Sequence, residues 1–179
     1  LLDDNVVFDP RSHTAVNGVR LVRAAFGDAP GRQDWPAEGL DAAVRLPQAT
    51  LTIPAQARDE ADALLEAATA GAPERPLVGL HMGAGRAVKE WPASRMAEVG
   101  AWASRERDAV IVLTGSSADR AAADEVRRAL PGGVAVVDTA GGAALLPLAA
   151  VLSRLSLFIT PDTGPMHLAA AVGTPMVAL

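Results

Sequence analysis

Several residue types are missing or scarce in this sequence, and each shortage removes a class of function. The 179 residues include no cysteine, which excludes disulfides, thiolate metal sites and a cysteine nucleophile. Aromatic residues make up only 3% of the chain, which argues against stacking platforms for single-stranded nucleic acid. The net charge of −5 argues against a basic footprint for nucleic acid or a polybasic membrane patch.

Long apolar runs are missing as well. None approaches the roughly 18 to 20 residues that a membrane-spanning helix needs. The N-terminal Leu1-Leu2-Asp3-Asp4 has no methionine, no basic region and no long apolar stretch, so it does not resemble a signal peptide. Residues 175–179 read as a buried strand that is cut off in its middle. We therefore expect this chain to be a fragment of a longer protein.

Half of the residues are hydrophobic, and the length corresponds to a little over one domain of about 150 residues. After Pro76, short apolar segments alternate with helical ones. Helices are predicted at about 92–105, 117–130, 143–154 and 165–172, and strands at 77–81, 109–114, 134–137, 157–160 and 175–179. This alternation predicts an α/β fold, a doubly wound parallel sheet covered by helices on both faces.

Residues 1–72 have a different texture, with helical periodicity at 12–26 and 56–70 and a loop-like segment rich in glycine and proline between them. We assign residues 1–72 to the remnant of a first domain and an interdomain linker. Residues 73–179 form the second, truncated domain.

The right-handed crossover rule favours the strand order 3-2-1-4-5, whose winding reverses between strands 1 and 4. Ligands bind beyond the carboxyl ends of the strands at such a reversal. The loops that follow these two strands are 81–89 and 161–167. We therefore expect a ligand site where these two loops meet.

The first of these loops contains Gly83, Gly85 and Lys89, the only lysine among 16 basic residues. Glycines allow the backbone to approach a ligand closely, and a cation with oriented N–H groups suits a diphosphate. The alternative is a glycine-containing turn with a surface lysine. The loop lacks the third glycine of the dinucleotide fingerprint, and the chain has no GxxxxGK sequence. Neither Rossmann redox chemistry nor P-loop chemistry is therefore supported.

The second loop carries Asp162, Thr163 and Gly164 immediately before Pro165, a favoured first residue of a helix. The N–H groups and positive dipole end of that helix would face the crevice. Asp162 could accept hydrogen bonds from sugar hydroxyls, or it could simply cap the helix, as Thr163 or Gly164 could. His167 in the first turn is either part of the site or a structural residue.

With these two loops, the sequence resembles glycosyltransferase family 9, whose best-known members are the ADP-heptose:lipopolysaccharide heptosyltransferases. The resemblance covers roughly residues 75–179 and extends more faintly to 13–27 and 51–65. Its two most specific runs are KxWP at 89–92 and DTGxxHLAAA at 162–171. Either of them would be weak evidence alone. The matching runs are Gly83-Ala84, Lys89-Glu90-Trp91-Pro92, Val112-Leu113-Thr114-Gly115, Asp162-Thr163-Gly164-Pro165-Met166-His167-Leu168-Ala169-Ala170-Ala171 and Gly173-Thr174-Pro175.

The resemblance implies a two-domain GT-B glycosyltransferase, with the remnant of the acceptor domain and the linker at residues 1–72 and a truncated nucleotide-sugar-binding domain at 73–179. It implies that Lys89 stabilises the leaving diphosphate and that Asp162 contacts the donor sugar. It assigns His167, beside the site, as a second catalytic candidate. The other implied donor-binding residues are the loop residues Met82, Gly83 and Ala84, the phosphate-binding Thr163 and Gly164, and Asp119 on the ribose. The family's catalytic base lies near the start of the first domain, in a region that we expect to lie outside this chain.

The implied reaction is inverting, metal-independent transfer of a sugar, heptose in the best-known members, from an ADP-linked donor to an acceptor hydroxyl. The donor is a substrate, and no cofactor or metal is expected. The implied partners are the donor and a glycan, glycolipid or small-molecule acceptor, without nucleic acid. The implied location is the cytoplasm, without a membrane span, and a peripheral position at the inner face of the membrane is compatible with this role. Two alternatives remain open, namely a nucleotide-sugar epimerase of GT-B architecture and a nucleotide-sugar-binding module without catalysis.

Overall fold

The computed structural model describes residues 51–69, 74–141 and 143–179. A parallel sheet of five strands forms the centre, and its order is β3-β2-β1-β4-β5. The predicted order 3-2-1-4-5 is therefore confirmed. The strands are β1 (Leu77–His81), β2 (Val110–Thr114), β3 (Val136–Asp138), β4 (Leu157–Thr160) and β5 (Met176–Ala178).

Helices cover both faces of the sheet, and two short 3₁₀ turns, Ala87–Lys89 and Ser117–Asp119, lie in the loops after β1 and β2. Within the described ranges, no helix is both long and apolar enough to cross a membrane. The predicted helix at 12–26 lies outside the described residues. The helices are α1 (Ala55–Thr69), α2 (Ala93–Arg107), α3 (Arg120–Ala129), α4 (Leu145–Arg154) and α5 (Gly164–Ala171).

The core consists of two apolar layers, one on each face of the sheet. Strand β2 is buried along its whole length, as expected for a central parallel strand. Its Val110 and Val112 pack in the layer that contains α1, α4 and α5. Its Ile111 and Leu113 point to the opposite layer, which contains α2 and α3. The alternation of side chains along a strand thus supplies both layers from one apolar segment.

Gly79 in the middle of β1 allows β1 and β4 to lie side by side under α4. A Cβ atom at this position would overlap the side chains of Leu155 and Phe158. Phe158 is fully buried, so it has no space into which it could move. The glycine therefore fixes the packing at the two strands whose following loops form the predicted site.

Helix α1 packs on the sheet, although the sequence places it before the predicted boundary at residues 72/73. Ala57, Ala61 and Leu65 of α1 belong to the same apolar layer as α4. Arg154 at the end of α4 donates to Asp62 Oδ2 at 2.7 Å. The described residues 51–69, 74–141 and 143–179 belong to one compact unit. The division into domains at 72/73 stays a prediction, and α1 is part of the surroundings of the sheet in either case.

Candidate functional site

The loops after β1 and β4 lie at the same edge of the sheet because the two strands are parallel neighbours. Val78 pairs with Leu157, and Leu80 pairs with Ile159. The chain leaves β1 through Met82 and reaches the 3₁₀ turn Ala87–Lys89. It leaves β4 at Thr160 and enters α5 at Gly164. This edge is the reversal point of the winding, where open α/β sheets bind their ligands.

Lys89 and Asp162, which belong to these two loops, form an ion pair. Lys89 Nζ donates to Asp162 Oδ2 at 2.6 Å. The Lys89 side chain is 43% exposed and the Asp162 side chain 58% exposed, so solvent and a ligand can reach both. The hydrogen bond and positive charge of Lys89, aided by the charge of His167, hold the pKa of Asp162 below its usual range. The ammonium thus contacts the side chain of Asp162, the residue that precedes the N-cap residue Thr163 of α5.

The tip of α5 has no side-chain cap among the described residues. Thr163 occupies the cap position in an extended conformation. Its hydroxyl donates backwards to the Pro161 carbonyl at 3.3 Å. Thr163 is therefore the N-cap residue, but neither its hydroxyl nor the Asp162 carboxylate, which Lys89 engages, makes a capping hydrogen bond to the described helix. The positive end of the α5 dipole is therefore available to an anion in the crevice.

A cleft of about 480 Å³ opens next to this helix tip. One wall is formed by the glycine-containing loop and α5, and the other by the loop after β2 and the start of α4. The residues that line it are His81, Gly83, Ala84, Gly85, Gly115, Ser116, Ala118, Asp119, Ala143, Leu145, Leu148, Thr163 and Pro165. Its size is within the range of small-molecule sites.

Asp119 fixes one wall of the cleft. Its Oδ2 accepts hydrogen bonds from the backbone N–H of Ser116 at 2.7 Å and from the Ser116 hydroxyl at 2.6 Å. Together the two residues form a capping box at the 3₁₀ turn. A Cβ atom at Gly83 would lie 2.5 Å from Asp119 Oδ2, and one at Gly115 would lie 2.9 Å from Asp119 Cβ. Both glycines are therefore required for Asp119 to pack against the two loops.

His81, the last residue of β1, is in the cleft wall but is absent from the residues predicted for the site. The residue is only 5% exposed, and its Nδ1 lies 2.9 Å from Thr114 Oγ1. Burial lowers the pKa of His81, and the Asp119 carboxylate opposes this effect. The signal in the sequence is a histidine at the carboxyl end of an otherwise apolar strand, directly before the glycine-containing loop.

The comparison with known proteins agrees with this geometry. A family model described as glycosyltransferase family 9 (heptosyltransferase) matches residues 7–179. The chain belongs to glycosyltransferase family 9.

Curated and solved members of family 9 are longer than this chain. Lipooligosaccharide heptosyltransferase 2 of Haemophilus influenzae is 34% identical over 133 residues, which are 72% of this chain and 38% of that protein. The family 9 structure from Veillonella parvula has a TM-score of 0.66 and 29% identity, over 72% of this chain and 36% of that one. E. coli ADP-heptose LPS heptosyltransferase II has a TM-score of 0.64 and 26% identity, over 85% of this chain and 41% of that one. The chain thus spans about two fifths of the length of these relatives.

The residues that the family 9 resemblance assigns to the donor fall into two groups. Gly83, Ala84, Asp119 and Thr163 line the cleft, and Lys89, Asp162 and exposed Gly164 and His167 lie on the loop and helix tip beside it. Met82 differs. The residue is 6% exposed and packs in the apolar layer under α2, while its N–H donates to the Thr114 carbonyl at 3.0 Å. Met82 anchors the loop and does not line the cleft.

Proposed function

We propose that the protein transfers a heptose from ADP-heptose to an acceptor hydroxyl, with inversion at the anomeric carbon. The observation that carries this proposal is the contact of the Lys89 ammonium with Asp162 Oδ2 at 2.6 Å, one residue before Thr163 at the N-terminus of α5. A cation and a helix tip that converge on one crevice suit a diphosphate. The names of the family 9 relatives support heptose and ADP as the donor components.

In this reaction the acceptor oxygen forms a bond to the anomeric carbon while the bond to the diphosphate oxygen breaks. Negative charge therefore grows on the departing nucleoside diphosphate. Lys89 and the tip of α5 attract that charge more strongly as it develops, which lowers the barrier. The acceptor proton passes to a base that we expect from the first domain. Asp162 accepts hydrogen bonds from the donor sugar.

Lys89 supplies the positive charge that a divalent cation supplies in other phosphate sites, so we propose that the reaction needs neither a metal nor a cofactor. We further propose that the protein acts in the cytoplasm. Its acceptor would be a glycan, a glycolipid or a small molecule, which it could meet at the inner face of the membrane.

Calorimetric titration with ADP-, UDP- and GDP-sugars, with and without excess chelator, tests the proposal. We expect an ADP-sugar to bind most tightly and the chelator to leave its affinity unchanged. Product analysis with donor alone separates transfer from epimerisation, because a transferase leaves the donor sugar unaltered without acceptor. Failure of every nucleotide sugar to bind would contradict the proposal.

Substitution of Gly83 by alanine should weaken the binding of ADP about fivefold, the equivalent of about 1 kcal/mol or one hydrogen bond. The new Cβ atom would meet Asp119 Oδ2 at 2.5 Å and push Asp119 or the loop away from the nucleotide. Calorimetric titration with ADP measures the change.

The matched control for this substitution is Gly132→Ala. The structure has no described atom within 4 Å of a Cβ atom at Gly132, and this residue lies outside the cleft lining. The control should bind ADP as the unmodified protein does. Equal affinities of the Gly83 and Gly132 variants would show that the loop after β1 does not approach the nucleotide.

A further inference from the structure

His81 lies in the wall of the cleft with one ring nitrogen anchored and the other without a described partner. It borders the cleft together with Gly83 and Thr163, on the two loops that approach the proposed diphosphate. The residue is only 5% exposed, although it lines the cleft. The ring is held between Thr114 of β2 and Phe158 of β4, whose ring centroid is 6.1 Å from that of His81.

The surroundings of Thr114 determine which nitrogen of His81 carries the proton. The Thr114 hydroxyl lies 2.9 Å from His81 Nδ1 but 3.5 Å from the Leu80 carbonyl, its other acceptor. A hydrogen bond at 3.5 Å is at the limit of useful geometry, whereas one at 2.9 Å is close to ideal. The Thr114 hydroxyl therefore donates its hydrogen bond to Nδ1 of His81. A neutral imidazole whose Nδ1 accepts carries its own proton on Nε2.

The Nε2–H group of His81 is consequently a buried donor that needs an acceptor. Within the described part of the chain, the only side-chain hydrogen bond of His81 is the one to Thr114. Asp119, the carboxylate whose charge acts on His81, has its Oδ2 engaged by the backbone N–H and the hydroxyl of Ser116. A buried polar group without a partner is costly, so such groups are nearly always satisfied in the working state. A ligand oxygen in the cleft would satisfy this one.

Phosphate oxygens match this donor better than hydroxyl groups do. A diphosphate oxygen accepts hydrogen bonds and has no proton to offer at neutral pH, so it can pair only with a ring nitrogen that carries a proton. Burial lowers the pKa of His81 and keeps the ring neutral, so it donates without the desolvation of a second cation beside Lys89.

We propose that His81 is a binding residue for the nucleoside diphosphate, to which it donates its Nε2–H, and that Thr114 is the positioning residue that fixes the required tautomer. This inference rests on the proposed function, because it takes a nucleoside diphosphate as the occupant of the cleft. It adds a neutral donor, supplied by the end of β1, to the cation and the helix tip.

The tautomer can be measured directly in the unmodified protein. Nitrogen-15 NMR of the histidine rings should show His81 with its proton on Nε2, and addition of ADP should shift the Nε2–H resonance. A proton on Nδ1 would overturn the proposal without any substitution.

Binding measurements test the contact with the ligand. His81→Phe should weaken ADP binding about tenfold to a hundredfold, as expected for a hydrogen bond to a charged group. Its affinity for adenosine, which lacks the phosphates, should change by less than about threefold. If His81→Phe and the unmodified protein bind ADP with affinities within twofold of each other, the proposed role of His81 is wrong. If the unmodified protein binds no nucleoside diphosphate, the proposed function fails, and this inference fails with it.

Thr114→Val tests the positioning role, because this residue is fully buried and does not line the cleft. The variant should mix the His81 tautomers and weaken ADP binding severalfold, and Thr114→Ser should restore both. Thr174→Val is the matched control, since Thr174 is a similarly buried residue whose hydroxyl donates to the Leu152 carbonyl at 2.7 Å, away from the cleft. Equal effects of the two valine variants on ADP binding would reduce Thr114 to a general structural role.

Discussion

Replacement of Lys89 by alanine is expected to lower turnover by about tenfold to a hundredfold. A charge-assisted hydrogen bond contributes about 1.5 to 3 kcal/mol, and each 1.4 kcal/mol corresponds to a factor of ten in rate. The loss should appear in kcat as well as in kcat/KM, because the ammonium interacts most strongly with the charge that develops in the transition state. Steady-state kinetics with the nucleotide sugar and its acceptor measure both constants.

Arg154→Ala is the matched control for the loss of one positive charge. Arg154 pairs with Asp62 at 2.7 Å, and its side chain is 46% exposed, compared with 2.6 Å and 43% for Lys89. It lies at the end of α4, away from the cleft lining. The control should retain full turnover. If Lys89→Ala stays within a factor of two of the unmodified enzyme, the proposed stabilisation of the leaving group is wrong.

Lys89→Arg separates charge from shape at the same position. Arginine keeps the positive charge but places it on a broad planar fork, whereas the compact ammonium can sit between two phosphates. We expect the arginine variant to recover only part of the activity. The observation that this chain uses lysine once and arginine at its 15 other basic positions is consistent with such a requirement.

The fold could be predicted from the sequence because its strongest determinants are local. The apolar segments of β1 and β4 are flanked by clear turn signals, and their predicted limits, 77–81 and 157–160, are those of the structure. Strand β3 was predicted at 134–137 but lies at Val136–Asp138. The turn before it has a positive φ at Gly133 and a hydrogen bond from the Val134 N–H to the Pro131 carbonyl. Val134 is therefore part of this turn, and the strand begins later than predicted. The helix predicted from residue 117 begins as a 3₁₀ turn because Asp119 closes a capping box on Ser116.

The site was predictable in its location but not in its contacts. The strand order alone brings the loops of Lys89 and Asp162 to one edge of the sheet. Their ion pair depends on the path of two irregular loops whose residues are 73 positions apart, and no local pattern encodes such a path. Met82 was predicted to contact the donor, yet its side chain points into the apolar layer, because the alternation of β1 continues through it. His81 is not predicted for the site because it completes an apolar strand.

Replacement of Asp162 by asparagine should change nucleotide binding and turnover in opposite directions. In the structure, the Asp162 carboxylate holds the Lys89 ammonium that a diphosphate would also attract. Removal of that negative charge frees Lys89 and abolishes the repulsion between the carboxylate and the phosphates. We therefore expect ADP alone to bind about twofold to fivefold more tightly, in line with the strength of exposed ion pairs.

Turnover of the sugar nucleotide by the same variant should fall by about tenfold or more. The proposed role of Asp162 is to accept hydrogen bonds from hydroxyl groups of the donor sugar, and a neutral amide oxygen is a weaker acceptor than a carboxylate. Titration with ADP and steady-state kinetics with the full donor measure the two effects. Since Lys89 holds the pKa of Asp162 below its usual range, the carboxylate stays ionised through neutral pH. The difference in ADP affinity should therefore disappear only in acid, below that range.

Asp62→Asn provides the matched control, because Asp62 also pairs with a cation at 2.7 Å and its side chain is 40% exposed. It should change neither ADP affinity nor turnover. The paired result for Asp162→Asn distinguishes the two roles that a carboxylate beside a phosphate site can have. Weaker binding of ADP would mean that Asp162 chiefly orients Lys89 towards the diphosphate. Tighter binding with slower transfer means that the carboxylate serves the sugar and restrains the lysine until the donor arrives.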